Sequence, residues 1–201
     1  GKGTLKIASA TFPGGTFNNF VSAGGGTVEY TNANNFTMPD RYTYNNLVIN
    51  IAQNRTATLS NASGNNNITI NGNFTVKQGT FQIGPSAGTI VKQTITVNGD
   101  MLVETAGRVT TGQANVNSGG KRYTNGDGVT NRNNANGHAL NLNGNFTNNG
   151  NVSFTNQAAV ANETAYSNVT NVFFTKTTGD QDVVINGPTK FYTIRVQKGI
   201  D

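Results

Sequence analysis

Short apolar runs recur along the chain, and within most of them apolar and polar residues alternate. Ile68-Thr69-Ile70, Phe74-Thr75-Val76, Ile95-Thr96-Val97 and Leu140-Asn141-Leu142 each put every second residue on one side. A period of two marks a β-strand with one face buried. No long segment carries the 3.6-residue apolar stripe of an amphipathic helix, and good helix formers are scarce. The pattern predicts an all-β chain.

Three segments repeat one plan. Ile68–Val76, Ile95–Val103 and Leu140–Thr147 each read as a strand, then Asn-Gly-Asn or Asn-Gly-Asp, then a second strand. A glycine corner and a third strand follow, at Gly79–Ile83, Gly107–Val109 and Gly150–Phe154. A second match runs over a longer distance. Tyr44–Ile49 resembles Phe191–Val196, and each follows a Val-containing strand, Thr27–Tyr30 or Asn171–Phe174. The chain is therefore expected to begin and end partway through a larger unit. Strand starts at Leu5, Val28, Leu47, Ile68, Ile95, Leu140, Val172 and Ile194 are spaced by 23, 19, 21, 27, 45, 32 and 22 residues. Most of these suit one coil of a solenoid. The long interval holds residues 113–137, rich in Asn and Gly, expected as an inserted loop.

The pattern predicts a single segment, 1–201, of parallel β-solenoid (a right-handed β-helix). About eight rungs at ~4.8 Å would make a rod of roughly 35–40 Å. The alternative is an antiparallel β-sandwich with Asn-Gly hairpins. A two-residue hairpin loop at Asn71-Gly72 would turn Phe74 and Val76 away from the face of Ile68 and Ile70. A three-residue loop would restore agreement, so hairpins stay open. The same triplet at the same place in three units favours stacked corners. The corner residues Asn71, Gly72, Asn98, Gly99, Asn143 and Gly144 are then structural, with each Asn free to bond its copy in the next rung.

Composition sharpens this reading. The chain has 34 Asn, 29 Thr and 25 Gly, and only 11% charged residues. Asn and Gly serve turns and Thr serves strands. The net charge is +5, but the basic residues are scattered, with only Lys121 and Arg122 adjacent. Nucleic-acid binders cluster basic groups with stacking aromatics, so no nucleic-acid partner is expected. There are no cysteines, which excludes disulfides and thiolate metal sites. No run reaches the ~18 apolar residues of a membrane span, so membrane insertion is not expected. The chain opens Gly-Lys-Gly with no visible signal peptide, as a processed chain or a fragment would.

Phe12-Pro-Gly-Gly15, Gly26–Tyr30, Tyr44-Asn-Asn-Leu47, the Asn-Gly-Asn-Phe-Thr units and Phe146–Gly150 together resemble one group of proteins. These are the giant repetitive cell-surface proteins of Bacteroidetes exported by type IX secretion, a group that includes gliding-motility adhesins. The resemblance covers essentially the whole chain and implies an extracellular, repeated β-helical rod. No C-terminal sorting domain is recognisable, and the 113–137 insertion departs from the group's pattern.

Candidate chemistry is sparse. The single histidine, His138, reads as a surface or turn residue at the edge of the loop, without a Gly-x-Ser-x-Gly elbow. The nine carboxylates are scattered, apart from Asp180 and Asp182 in an expected turn. Glycosidases need two facing acids. No enzyme activity and no cofactor are expected. The one calcium candidate is Asp127, in Asn125-Gly-Asp-Gly128, a lone carboxylate among amide oxygens. Thr-x-Thr strands such as Thr56-Ala-Thr58 do not continue as a ladder. Tyr30, Tyr42, Tyr44, Tyr123, Tyr166 and Tyr192 are candidates for sugar stacking, although the Tyr44/Phe191 exchange points to packing. The function expected is a structural, adhesive segment, a stiff spacer or filament shaft at the bacterial cell surface. Its partners would be neighbouring repeats, further copies or surface glycans. A carbohydrate-binding or carbohydrate-cleaving β-helix, with its site at 113–137, is the alternative.

Overall fold

A computed structural model describes residues 1–41, 43–60, 67–86, 92–113, 123–124, 130–131, 137–155 and 169–197. The chain winds as a parallel β-solenoid with three strips of strand. The first strip stacks Thr43–Tyr44, Asn67–Ile70, Thr94–Val97, His138–Leu142, Thr170–Phe174 and Thr193–Val196, all parallel. The second stacks Thr4–Ile7, Thr27–Tyr30, Asn46–Asn50, the first half of Phe74–Ile83, the first half of Met101–Thr111, Phe146–Asn148 and Val183–Ile185. The third stacks Phe36–Thr37, Thr56–Leu59, the second halves of the same two long strands, Asn151–Ser153 and Thr189–Lys190. Among the described strands, only Tyr123–Thr124 and Thr130–Asn131 pair antiparallel. The sandwich is thereby excluded: each Asn-Gly carries the chain from strip one to strip two instead of folding it back.

The register explains the core. On strip one, Ile68, Ile95, Leu140, Val172 and Ile194 form one inward column. On strip two, Leu47, Phe74, Met101, Phe146 and Val183 form another. In the inner coils these residues are almost wholly buried. A like residue above and below satisfies both the ladder hydrogen bonds and the packing, so stability passes from coil to coil.

Two expectations need correction. The series of eight strand starts changes strip between Leu47 and Ile68, because Leu47 pairs with Phe74. The longest strip holds seven strands, about 30 Å of stacking at ~4.8 Å each, and Thr193–Val196 on strip one opens one more coil, so the expected count of about eight coils stands. For the same reason Tyr44–Ile49 and Phe191–Val196 are not equivalent. Leu47 belongs to strip two and Ile194 to strip one. Alternation reveals which side of a strand is buried, but not which strip the strand joins.

The two ends differ. Ile7, although in the first strand, is buried. Phe12, Phe17 and Phe20 pack against the core in the first coil, Phe20 from within a short helix, Asn18–Val21, that the alternation did not announce. The Phe12 and Phe17 rings meet edge-on at 5.3 Å, and the Arg41 guanidinium lies 3.8 Å from the Phe12 ring centre. At the other end, Val183, Val184, Ile185, Ile194 and Val196 are 39–66% exposed, and all sit in the last two strands of strips two and one. Among the described residues, apolar exposure is thus concentrated at the C-terminal end.

Candidate functional site

The Asn-Gly corners are built from close approach. A Cβ on Gly144 would fall 2.2 Å from the Gly99 carbonyl oxygen, and one on Gly99 2.6 Å from that of Gly72. Glycine is required here because the next corner lies directly against it. The Gly99 N–H donates to the Gly72 carbonyl at 2.9 Å, and Asn143 Nδ2 donates to Asn98 Oδ1 at 2.6 Å. The continuous ladder, however, uses the third position of each triplet, which inspection of the Asn-Gly pairs passes over. Asn46 Oδ1 accepts from the Asn73 N–H at 2.8 Å, and Asn73 Oδ1 from Asp100 at 2.9 Å. Asp100 Oδ1 accepts from Asn145 at 2.7 Å, and Asn145 Oδ1 from Asp182 at 3.0 Å. Five corners are thus joined by four side chains. The recurrence of Asn or Asp at this position was the signal in the sequence.

One amide works inside. Asn148 sits in the inward column between Val103 and Ile185 and is fully buried. Its Nδ2 donates to the Gly187 and Pro188 carbonyls and to Thr189 Oγ1, and its Oδ1 accepts from the Gly150 N–H at 2.9 Å. Asn148→Ala is expected to cost about 2 kcal/mol, because it strands buried backbone groups. Asn145→Ala, at an exposed corner, should cost at most about 1 kcal/mol. Urea unfolding of both variants checks the order.

His138 is not at the surface. It opens the strand His138–Leu142 and is fully buried, on the same side as Leu140 and Leu142. Its Nδ1 accepts from the Gln93 N–H at 2.9 Å. The protonated nitrogen is therefore Nε2, which donates to the Gln113 carbonyl at 2.9 Å. Burial lowers its pKa to about 4, with the Lys92 charge acting in the same direction and the bonds to the Gln113 and Gly112 carbonyls opposing. The ring fills the space above Gly84, where a Cβ would lie 2.3 Å from Nε2. Parity with Leu140 was the available signal; the adjoining Asn/Gly run hid it.

The remaining candidates disperse. Tyr30 and Tyr44 are interior, with their hydroxyls 3.2 Å apart, so they offer sugars no platform. Burial raises both hydroxyl pKa values, that of Tyr44 to about 12. Asp180 and Asp182 flank Gln181, whose amide donates to the Leu142 carbonyl at 2.8 Å and so ties this turn to the previous coil. Tyr42, Tyr166 and the calcium candidate Asp127 lie outside the described residues, as does most of 113–137. Among the described residues, no group of three His, Asp or Glu side chains could hold a metal ion. No described helix is long and apolar enough to cross a membrane.

One edge of the solenoid carries recesses. The corner between strips two and three lengthens coil by coil: Ile49 to Asn50 lies opposite Val76 to Gln78, which lies opposite Val103 to Ala106. The extra residues make a ledge at Glu104-Thr105-Ala106. Three adjoining recesses of about 190, 320 and 420 Å³ flank it.

Comparison with known proteins found no matching family model, no matching curated protein and no matching solved structure. What the structure defines is the class: an all-β protein of stacked parallel sheets, compatible with a β-solenoid.

Proposed function

We propose that this chain is a stiff spacer or filament shaft within a bacterial extracellular surface adhesin. The observation that carries the reading is the unbroken parallel ladder, tied at five successive corners by Asn and Asp side chains. Such a stack resists bending because every coil is hydrogen-bonded and packed to both neighbours. The half-open C-terminal coil suits stacking against another repeat or another copy, since strand edges recruit strands. The resemblance to Bacteroidetes surface proteins supplies the cell-surface location, the type IX export route and the link to gliding motility.

Electron images of the parent protein released from cells test this. Straight rods with this unit repeated along them are expected; compact single particles would overturn the reading. A carbohydrate-binding β-helix remains the second reading, and the ledge on the solenoid edge is the observation that favours it.

A further inference from the structure

We propose that the recesses beside the Glu104–Ala106 ledge bind a linear, carboxylate-bearing polysaccharide laid along the solenoid axis. Three observations lead there. First, the ledge is built by register shifts in two successive coils, and bulges of this kind re-aim side chains at surfaces that bind. The recesses adjoin one another: two share Thr105 and Ala106, and two share Arg108 and Asn151. They form one open path crossing several coils, which suits a chain passing through.

Second, five polar side chains here are unspent, although Asn50, Thr110 and Ser153 in the same lining are engaged. Elsewhere the corner amides are consumed by ladders. Gln53, Lys77, Glu104, Arg108 and Asn151 line the recesses, and none of their side chains has a hydrogen bond or ion pair among the described residues. Arg108 stands exposed next to Asn151 in the adjacent coil.

Third, the chemistry is selective. The guanidinium fork of Arg108 matches a carboxylate with two parallel N–H···O bonds, and Lys77 adds a second cation across the ledge. Gln53 and Asn151 amides suit hydroxyl groups, and Glu104 accepts from them. No aromatic ring lines the recesses, so neither base stacking nor sugar stacking contributes. The ligand class is therefore a uronate polymer. This goes beyond the shaft reading, which stands if no glycan binds.

The test is affinity electrophoresis of the folded chain in native gels containing alginate, polygalacturonate, neutral dextran or DNA. Retardation by a uronate polymer, and not by dextran, is expected. Arg108→Ala and Asn151→Ala should each weaken it, Arg108→Ala by about tenfold, the scale of one lost charge-assisted pair. Lys2→Ala removes one positive charge far from the ledge and should change it by less than about twofold. Equal weakening by Lys2→Ala and Arg108→Ala, or equal retardation by DNA, would show a diffuse charge effect and overturn the proposal. Absence of retardation in both uronate gels would also overturn it. Electron images of the parent protein report separately on the shaft.

Discussion

Gly150→Ala is expected to destabilise the protein by about 3 kcal/mol or more and lower the melting temperature by roughly 6–12 °C. Gly150 stacks on Gly107 at the corner between strips two and three. An added Cβ would lie 2.2 Å from the Gly107 carbonyl oxygen and 2.4 Å from that of Glu104. Both obstacles are backbone and cannot rotate away. Relief requires parting of the coils around Met101–Thr111 and Asn151–Ser153, with loss of ladder bonds and of packing around Val109 and Val152. Gly14→Ala is the control: nothing lies within 4 Å of its Cβ position, so stability should stay within about 0.5 kcal/mol. Thermal unfolding by circular dichroism reads both variants. Hydrogen exchange should show the strands on either side of Gly150 opening first, since each coil depends on its neighbours. Matching melting temperatures for the two variants would refute the stacked-corner account.

Acidification from pH 7 to pH 4 is expected to remove about 3 kcal/mol of stability through His138 alone. Its folded pKa is lowered to about 4 by burial, against an ordinary value near 6.5. Between these values the unfolded chain binds the proton and the folded chain does not, so unfolding is favoured as pH falls. The contribution is fully present above about pH 6.5 and is lost progressively down to about pH 4. His138→Phe removes the titration. It also strands the Gln93 N–H and the Gln113 carbonyl, so it should lower stability at pH 7 by about 3 kcal/mol and flatten the dependence between pH 7 and 4. Urea unfolding at several pH values measures the difference between variant and parent. Parallel curves would refute the assignment.

Much of the fold was legible because β-structure writes its period into the sequence. Ile68, Ile70, Phe74 and Val76 alternate with Thr69 and Thr75, and all four apolar residues are buried. The Asn-Gly triplets at 71, 98 and 143 stack as corners, as their recurrence at one place in the unit suggested. Leu47 marks the limit. It looks like Ile68 in its local pattern yet belongs to a different strip, because strip membership depends on how many residues each corner consumes. The candidate site was less legible still. Lys77 and Glu104 are ordinary polar residues in sequence, and only register shifts of one residue per coil place them on a common ledge.

By itself, then, the sequence determined the strand character, the parity of the core residues and the repeated corner triplets. These depend on local alternation and on residue type, which neighbouring residues reveal. The tertiary structure alone decided which strand stacks on which, that His138 and Asn148 face inward with every bond engaged, that Phe12, Phe17 and Phe20 pack over the first coil while the last stays half open, and where unspent polar groups gather. Each of these joins residues about 20 to 45 positions apart in the chain, and their proximity is set by the summed lengths of the corners between them.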